Sequence, residues 1–144
     1  MANVFHVAKY VLAHTGIITT MKLQKLVYYC QSWSLGWDDK PLFNEEFRAW
    51  ANGPVCVELF NRHRGRFLVD ATLFADIDDY DFAPDELETM DSVLAYYGDK
   101  EPQWLSELTH KEAPWKEARA GIPNGVSCDR VIPKESMQQY YGGL

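Results

Sequence analysis

Residues Met21 to Phe60 read MKLQKLVYYCQSWSLGWDDKPLFNEEFRAWANGPVCVELF, and this stretch decides the fold. Leu23, Leu26, Val27, Cys30 and Trp33 recur at steps of three and four, the spacing of a helix with one face turned inward. Thr20 is the candidate cap. Gly36 and then Asp38-Asp39-Lys40-Pro41 mark the expected end, because glycine supplies a left-handed closing conformation and proline disfavours αR in the residue before it. Phe47, Ala49 and Ala51 alternate with Arg48 and Trp50, which predicts a short strand. Asn52-Gly53-Pro54 is expected to reset the backbone, with Pro54 at the first position of a helix carrying Val55, Leu59 and Phe60.

Upstream, Asn3 is positioned to cap a helix whose stripe is Val4, Val7, Ala8, Val11 and Leu12, and Gly16 closes it. The brief link Ile17-Ile18-Thr19-Thr20 makes this helix and the central one neighbours in a helical hairpin. Downstream lies one basic cluster, Arg62-His63-Arg64-Gly65-Arg66, which reads as a solvated helix C-terminus where cations complement the macrodipole. Phe67 to Ala83 reads as a solvated acidic loop, and neither Lys nor Arg occurs from Phe67 through Asp99. Its acidic run, Asp70, Asp76, Asp78, Asp79 and Asp81, is not a calcium loop, since the carboxylates miss the EF-hand positions and no glycine supplies the turn. Pro84-Asp85-Glu86 opens a helix with Leu87, Met90, Val93, Leu94 and Tyr97 on its inner face, ending at Gly98. Shorter helices follow over about Glu101–Thr109, with Trp104, Leu105 and Leu108 as the apolar side, and from Pro114-Trp115 toward Ala120. Val131-Ile132 is a strand fragment, and Pro133 opens a last helix through Tyr141.

The expected fold is therefore mainly α: one domain spanning 1–144, with six to seven helices and one or two short β fragments. A chain of 144 residues buries one real core without disulfide or metal support. The net charge of −7 argues against a protein built to grip phosphate backbones. Charge is lopsided. Residues 1–72 hold eight Lys/Arg against six Asp/Glu and residues 73–144 hold six against fifteen, so the second half suits a basic partner. Cys30, Cys56 and Cys128 form an odd set without CxxC spacing, read as free thiols in a reducing compartment. No run approaches the roughly 20 apolar residues needed to span a bilayer, and no secretory signal is present, so a cytoplasmic location is expected.

The sequence offers little chemistry. His6, His14, His63 and His110 are scattered, no metal-ligand spacing occurs, no glycine-rich phosphate cradle is present, and neither metal nor cofactor is expected. The helical register makes Cys30 a core thiol rather than a nucleophile. His110 reads as a helix-end donor to unpaired carbonyls, Trp115 as a core plug, and Trp50 as packing for the glycine junction or the wall of a recognition pocket.

Two ordered motifs carry a resemblance. The first is Met21-Lys22-Leu23-Gln24-Lys25-Leu26 with Tyr28-Tyr29 and Gln31, then Pro41-Leu42-Phe43, Ala49-Trp50 and Gly53-Pro54-Val55. The second is Leu105-Ser106-Glu107-Leu108-Thr109-His110 with Pro114-Trp115. Together they resemble the Panacea, or SocA-like antitoxin, domain, often phage-associated, over nearly the whole chain. The resemblance implies a non-enzymatic module that neutralises a toxin partner by direct contact, with delivery to a protease as a subordinate mode. A stand-alone phage or prophage protein that binds and redirects a host protein, such as a protease or its substrate, is the alternative. Asn52 and Phe60 depart from the family pattern, where an aromatic or basic residue and a tyrosine are expected. Trp50, Asn52, Arg62, Arg64 and Arg66 are accordingly the candidate partner-binding residues.

Overall fold

A computed structural model describes residues 1–144. The first half forms α1 (Val4–Thr15), β1 (Ile18–Thr19), α2 (Thr20–Asp38), β2 (Phe47–Trp50), β3 (Gly53–Cys56) and α3 (Val57–His63). The second half forms β4 (Leu68–Val69), a 3-10 turn (Ala71–Phe74), α4 (Pro84–Tyr97), α5 (Pro102–Lys111), α6 (Ala113–Arg119), β5 (Val131–Ile132) and α7 (Lys134–Gly142). The protein is 57% helical, with its strands in two small antiparallel sheets. β2 pairs with β3 on one side and β5 on the other, while β1 pairs with β4.

Local chemistry sets several boundaries as the sequence predicts. Asn3 caps α1 by accepting from the His6 N–H at 3.0 Å, and His6 Nδ1 accepts from the Asn3 N–H at 3.0 Å, a reciprocal capping box. Gly16 ends α1, Pro84 begins α4 and Gly98 follows it. α1 and α2 pack as neighbours.

Four expectations are corrected. Thr19 rather than Thr20 caps α2, its hydroxyl accepting from the Lys22 N–H at 3.1 Å. Helix α2 passes through Gly36 and ends at Asp38, with Asp39 in the left-handed region. Gly36 is required by packing instead: a Cβ there would lie 2.8 Å from Gly142 N and 2.9 Å from Tyr141 C, so the missing side chain lets α2 and α7 meet backbone to backbone. Pro54 does not open a helix. It sits in β3 opposite Ala49, which an edge strand tolerates because proline has no N–H to contribute, and α3 begins only at Val57. Finally, Phe67 to Ala83 is no bare loop. It holds β4 and the 3-10 turn, buries Phe74 completely, and is strapped to α1 and α3 by Lys9–Asp79 (3.0 Å) and Arg62–Asp76.

α2 is enclosed on every side, with α7, α4, α1 and α5 packed on it. From Leu23 through Ser32 every residue is buried, polar ones included. Leu26 is fully buried, whereas Trp33, expected on the same inner face, is half-buried against the core edge. On α5, Leu105 is fully buried, Leu108 partly so, and Trp104 is exposed.

Candidate functional site

Four buried polar residues of α2, Gln24, Lys25, Gln31 and Ser34, hold the chain that follows the helix, and three of them belong to the first motif. Gln31 donates to the Phe43 carbonyl (2.8 Å) and accepts from the Leu42 N–H (2.7 Å). Ser34 donates to the Lys40 carbonyl at 2.7 Å. Gln24 accepts from the Cys56 N–H (2.9 Å) and donates to the Cys56 carbonyl (3.1 Å) and to His63 Nε2 (3.0 Å). Both of its amide N–H donors are thereby used. Lys25 Nζ donates to the Pro54 carbonyl at 3.2 Å.

The second motif meets the same hairpin from the other side. Ser106 donates to the Asn52 carbonyl (2.6 Å), the Trp115 indole N–H to the Trp50 carbonyl (2.9 Å) and Arg119 Nη1 to the Ala49 carbonyl (2.9 Å). The two motifs converge at Gly53, whose φ is +116° and whose missing Cβ would lie 2.6 Å from Lys25 Cε and 2.9 Å from Thr109 Oγ1. Only glycine fits there, for both torsion and space. The expectation for His110 is altered: its ring stacks on Trp115 (centroids 4.1 Å apart, planes 15° apart), and Nε2 is buried without a partner rather than donating to helix-end carbonyls. Trp115 is a buried plug, as expected.

Beside this junction opens a pocket of about 810 Å³. Trp50, Asn52, Val55 and Phe60 form one wall, the first turn of α2 (Thr20, Met21) another, and Gln24, Lys25 and His63 also line it; Cys128 and Asp129 lie at its edge. Trp50 and Phe60 meet edge to face at 5.0 Å. Asp129 is already engaged, accepting from the Trp50 indole at 2.9 Å with Arg48 3.8 Å away. Lys25 is 1% exposed, and burial, with no carboxylate beside it, depresses its amine from 10.5 to about 7. His63 is also held below its ordinary value, first by burial and also by the Lys25 charge, so it stays a neutral acceptor for Gln24.

A second buried charge lies apart from the pocket. Glu112 Oε1 accepts from the hydroxyls of Tyr29 (2.7 Å) and Tyr141 (2.8 Å), and the Tyr28 and Tyr141 hydroxyls are 3.2 Å apart. Burial raises the Glu112 carboxyl, while the two tyrosine hydrogen bonds pull it back down. This cage accounts for Tyr28-Tyr29 in the first motif.

Of the five candidate partner-binding residues, the pocket unites Trp50 and Asn52. Arg64 lies over the Phe60 ring at 5.8 Å, next to the rim. Arg62 is directed inward, donating to the Leu73 carbonyl (3.0 Å), pairing with Asp76 and lying over Phe74. Arg66 is exposed and lines no part of the pocket. Lys25 and His63 are the functional candidates that periodicity missed. A lysine between Leu23 and Leu26 in a helix closed on all sides was the available signal.

The fold and the pocket define a helical domain with a hairpin-framed recess. The family described as antitoxin SocA-like, Panacea domain, matches residues 23–116, and the chain belongs to it. No curated protein and no solved structure gives a significant match to the chain. Membership supports an antitoxin-type role and a protein partner. No helix is long and apolar enough to cross a membrane.

Proposed function

We propose that this protein is a non-enzymatic, cytoplasmic antitoxin module that neutralises a toxin by direct contact, and that the pocket framed by the β2–β3 hairpin lies within the contact surface. The observation that carries the reading is convergence. Gln24 and Lys25 of the first motif and Ser106 and Trp115 of the second all hold this hairpin, and Asn52 and Phe60, read from the sequence as departures from the family pattern, line the pocket beside it. First-motif residues Met21, Gln24, Lys25, Trp50 and Val55 line the same pocket as Asn52 and Phe60, which supports reading it as a contact surface. Half-buried Trp50, next to arginines, adds residue types that dominate interface energies. The non-enzymatic part of the reading is supported by Cys30 and Cys56, buried thiols pushed up by desolvation, Cys56 to about 12.

Co-expression with the adjacent reading frame, followed by growth and co-purification, tests the proposal. The neighbour is expected to be toxic alone, harmless together with this protein, and to co-purify with it. Trp50→Ala is expected to weaken the complex without unfolding the protein. A harmless neighbour that forms no complex overturns the reading and points to a host protein as the target. Loss of the toxin only when a host protease is present identifies the adaptor mode.

A further inference from the structure

Lys25 is an anomaly. A buried ammonium ordinarily sits beside a carboxylate, because leaving water without a counter-charge is costly. Lys25 has three donor positions and uses one, on the Pro54 carbonyl. Its helix neighbour Gln24 makes no hydrogen bond to it, the amide being held on Cys56 and His63. Asp129, the one carboxylate on the pocket lining, is turned to Trp50 and Arg48 instead. The first turn of α2 adds the positive end of a helix dipole to the same recess. The recess therefore combines an amine with spare donors, the positive end of a helix and aromatic walls.

Building on the reading of this pocket as partner contact, we propose that it seats a carboxylate side chain of the partner protein against Lys25, with an adjacent apolar group packed against the Trp50–Phe60 wall. The chemistry selects a carboxylate over a phosphate. One amine in a mostly apolar recess balances one negative charge, whereas phosphate brings more charge and more acceptors than this lining can satisfy, with no arginine fork and no run of free backbone N–H groups. The volume of about 810 Å³ holds an acidic side chain together with a neighbouring hydrophobic residue. Seating the anion completes the ion pair and restores the Lys25 amine toward its ordinary ionised state. Binding is therefore coupled to proton uptake. The other titratable groups around the amine are His63 on α3, His110 on α5, and Cys128 and Asp129 at the pocket edge; both histidines are held low by burial and by the Lys25 charge.

The experiment has two arms. In the first, the isolated protein is titrated with phenylacetate, phenylacetamide and inorganic phosphate while the Trp50 indole and Gln24 side-chain amide resonances are followed by NMR. Phenylacetate is expected to shift both saturably at millimolar concentration, with phenylacetamide and phosphate at least about tenfold weaker, and to weaken as pH rises above about 7. Lys25→Met is expected to erase the preference for acid over amide. In the second arm, Lys25→Met is co-expressed with the partner, and the complex is expected to weaken by about tenfold or more. Equal binding of acid and amide, no saturable shift with phenylacetate, or a Lys25→Met complex as tight as the parent's overturns the carboxylate assignment. The acid-versus-amide comparison in the parent decides the matter even if the variant does not fold. Selective phenylacetate binding by a parent chain that captures no toxin upholds the pocket chemistry and sinks the toxin reading instead.

Discussion

Arg119, Glu112 and Lys25 are all buried; Arg119 is held by the Ala49, Pro123 and Val126 carbonyls, while Glu112 and Lys25 have contrasting surroundings. Glu112 lies in a closed cage and receives hydrogen bonds from Tyr29 and Tyr141, so the tyrosines offset part of what burial does to it. Lys25 is as deeply buried but has one carbonyl partner, and nothing offsets the depression of its amine. The first arrangement is what a fold does when a polar group serves the core: satisfy it completely. The second leaves a charge unsatisfied at the floor of an open recess, the pattern of a group kept for binding at the expense of stability.

The contrast breaks most severely at the point that holds the lysine in place. Gly53→Val forces a β-branched side chain onto a φ of +116° and into Lys25 Cε and Thr109 Oγ1, so it is expected to destabilise by roughly 3 kcal/mol or more, read as loss of the cooperative melt. Leu26→Ala, which removes a fully buried side chain from the same helix, is expected to lower stability by about 2–5 kcal/mol in denaturant titrations.

The cage comes next. Glu112→Ala strips the acceptor from two buried hydroxyls and is expected to lower stability by about 2–4 kcal/mol, whereas Glu112→Gln keeps an acceptor and should be milder. The sign with pH follows from the raised carboxyl. The folded state keeps its proton at pH values where the unfolded state has released it, so Glu112 lowers the parent's stability as pH rises from the ordinary value of 4.5 toward the raised one, and Glu112→Gln removes that slope.

Lys25→Met runs the other way. Removing an uncompensated buried amine while keeping the length of its stem is expected to stabilise the protein by about 1–4 kcal/mol near neutral pH. Because the folded value is about 7 and the ordinary one 10.5, the unfolded chain binds the extra proton between them, and the parent gains stability as pH rises through that window. The advantage of Lys25→Met should therefore shrink toward pH 10.5. The smallest effects belong to Arg64→Glu and Arg66→Glu. Both residues are exposed, so the melting temperature should stay near the parent's, with partner association slowed in a salt-dependent way.

The sequence made the punctuation legible and the enclosure illegible. Asn3, Gly16, Pro84 and Gly98 carry their meaning in local chemistry, and each acts where the spacing places it. Gly36 and Pro54 misled for one shared reason. A glycine that ends a helix and one that lets two helices touch look the same in sequence, and the torsion fixed by proline suits a helix start and an edge strand alike. Periodicity fails for α2 because a helix covered on all sides has no polar face. Gln24, Lys25, Gln31 and Ser34 are buried as fully as Leu23 and Leu26. Of the pocket, Trp50 and Asn52 were within reach as neighbours of the glycine junction, while His63 and Asp129 arrive from elements that only the tertiary fold brings near. The inward turn of Arg62 depends on Asp76 in the segment whose fold was least legible.

Lys25 stands as an uncompensated amine at the pocket floor, and its own titration tests this most directly. The Lys25 ε-methylene resonance, assigned by comparison with Lys25→Met, is followed against pH in the parent with and without phenylacetate. A midpoint near 7 that moves upward when phenylacetate is added is the predicted result; a midpoint near 10.5 that phenylacetate leaves unmoved would contradict it.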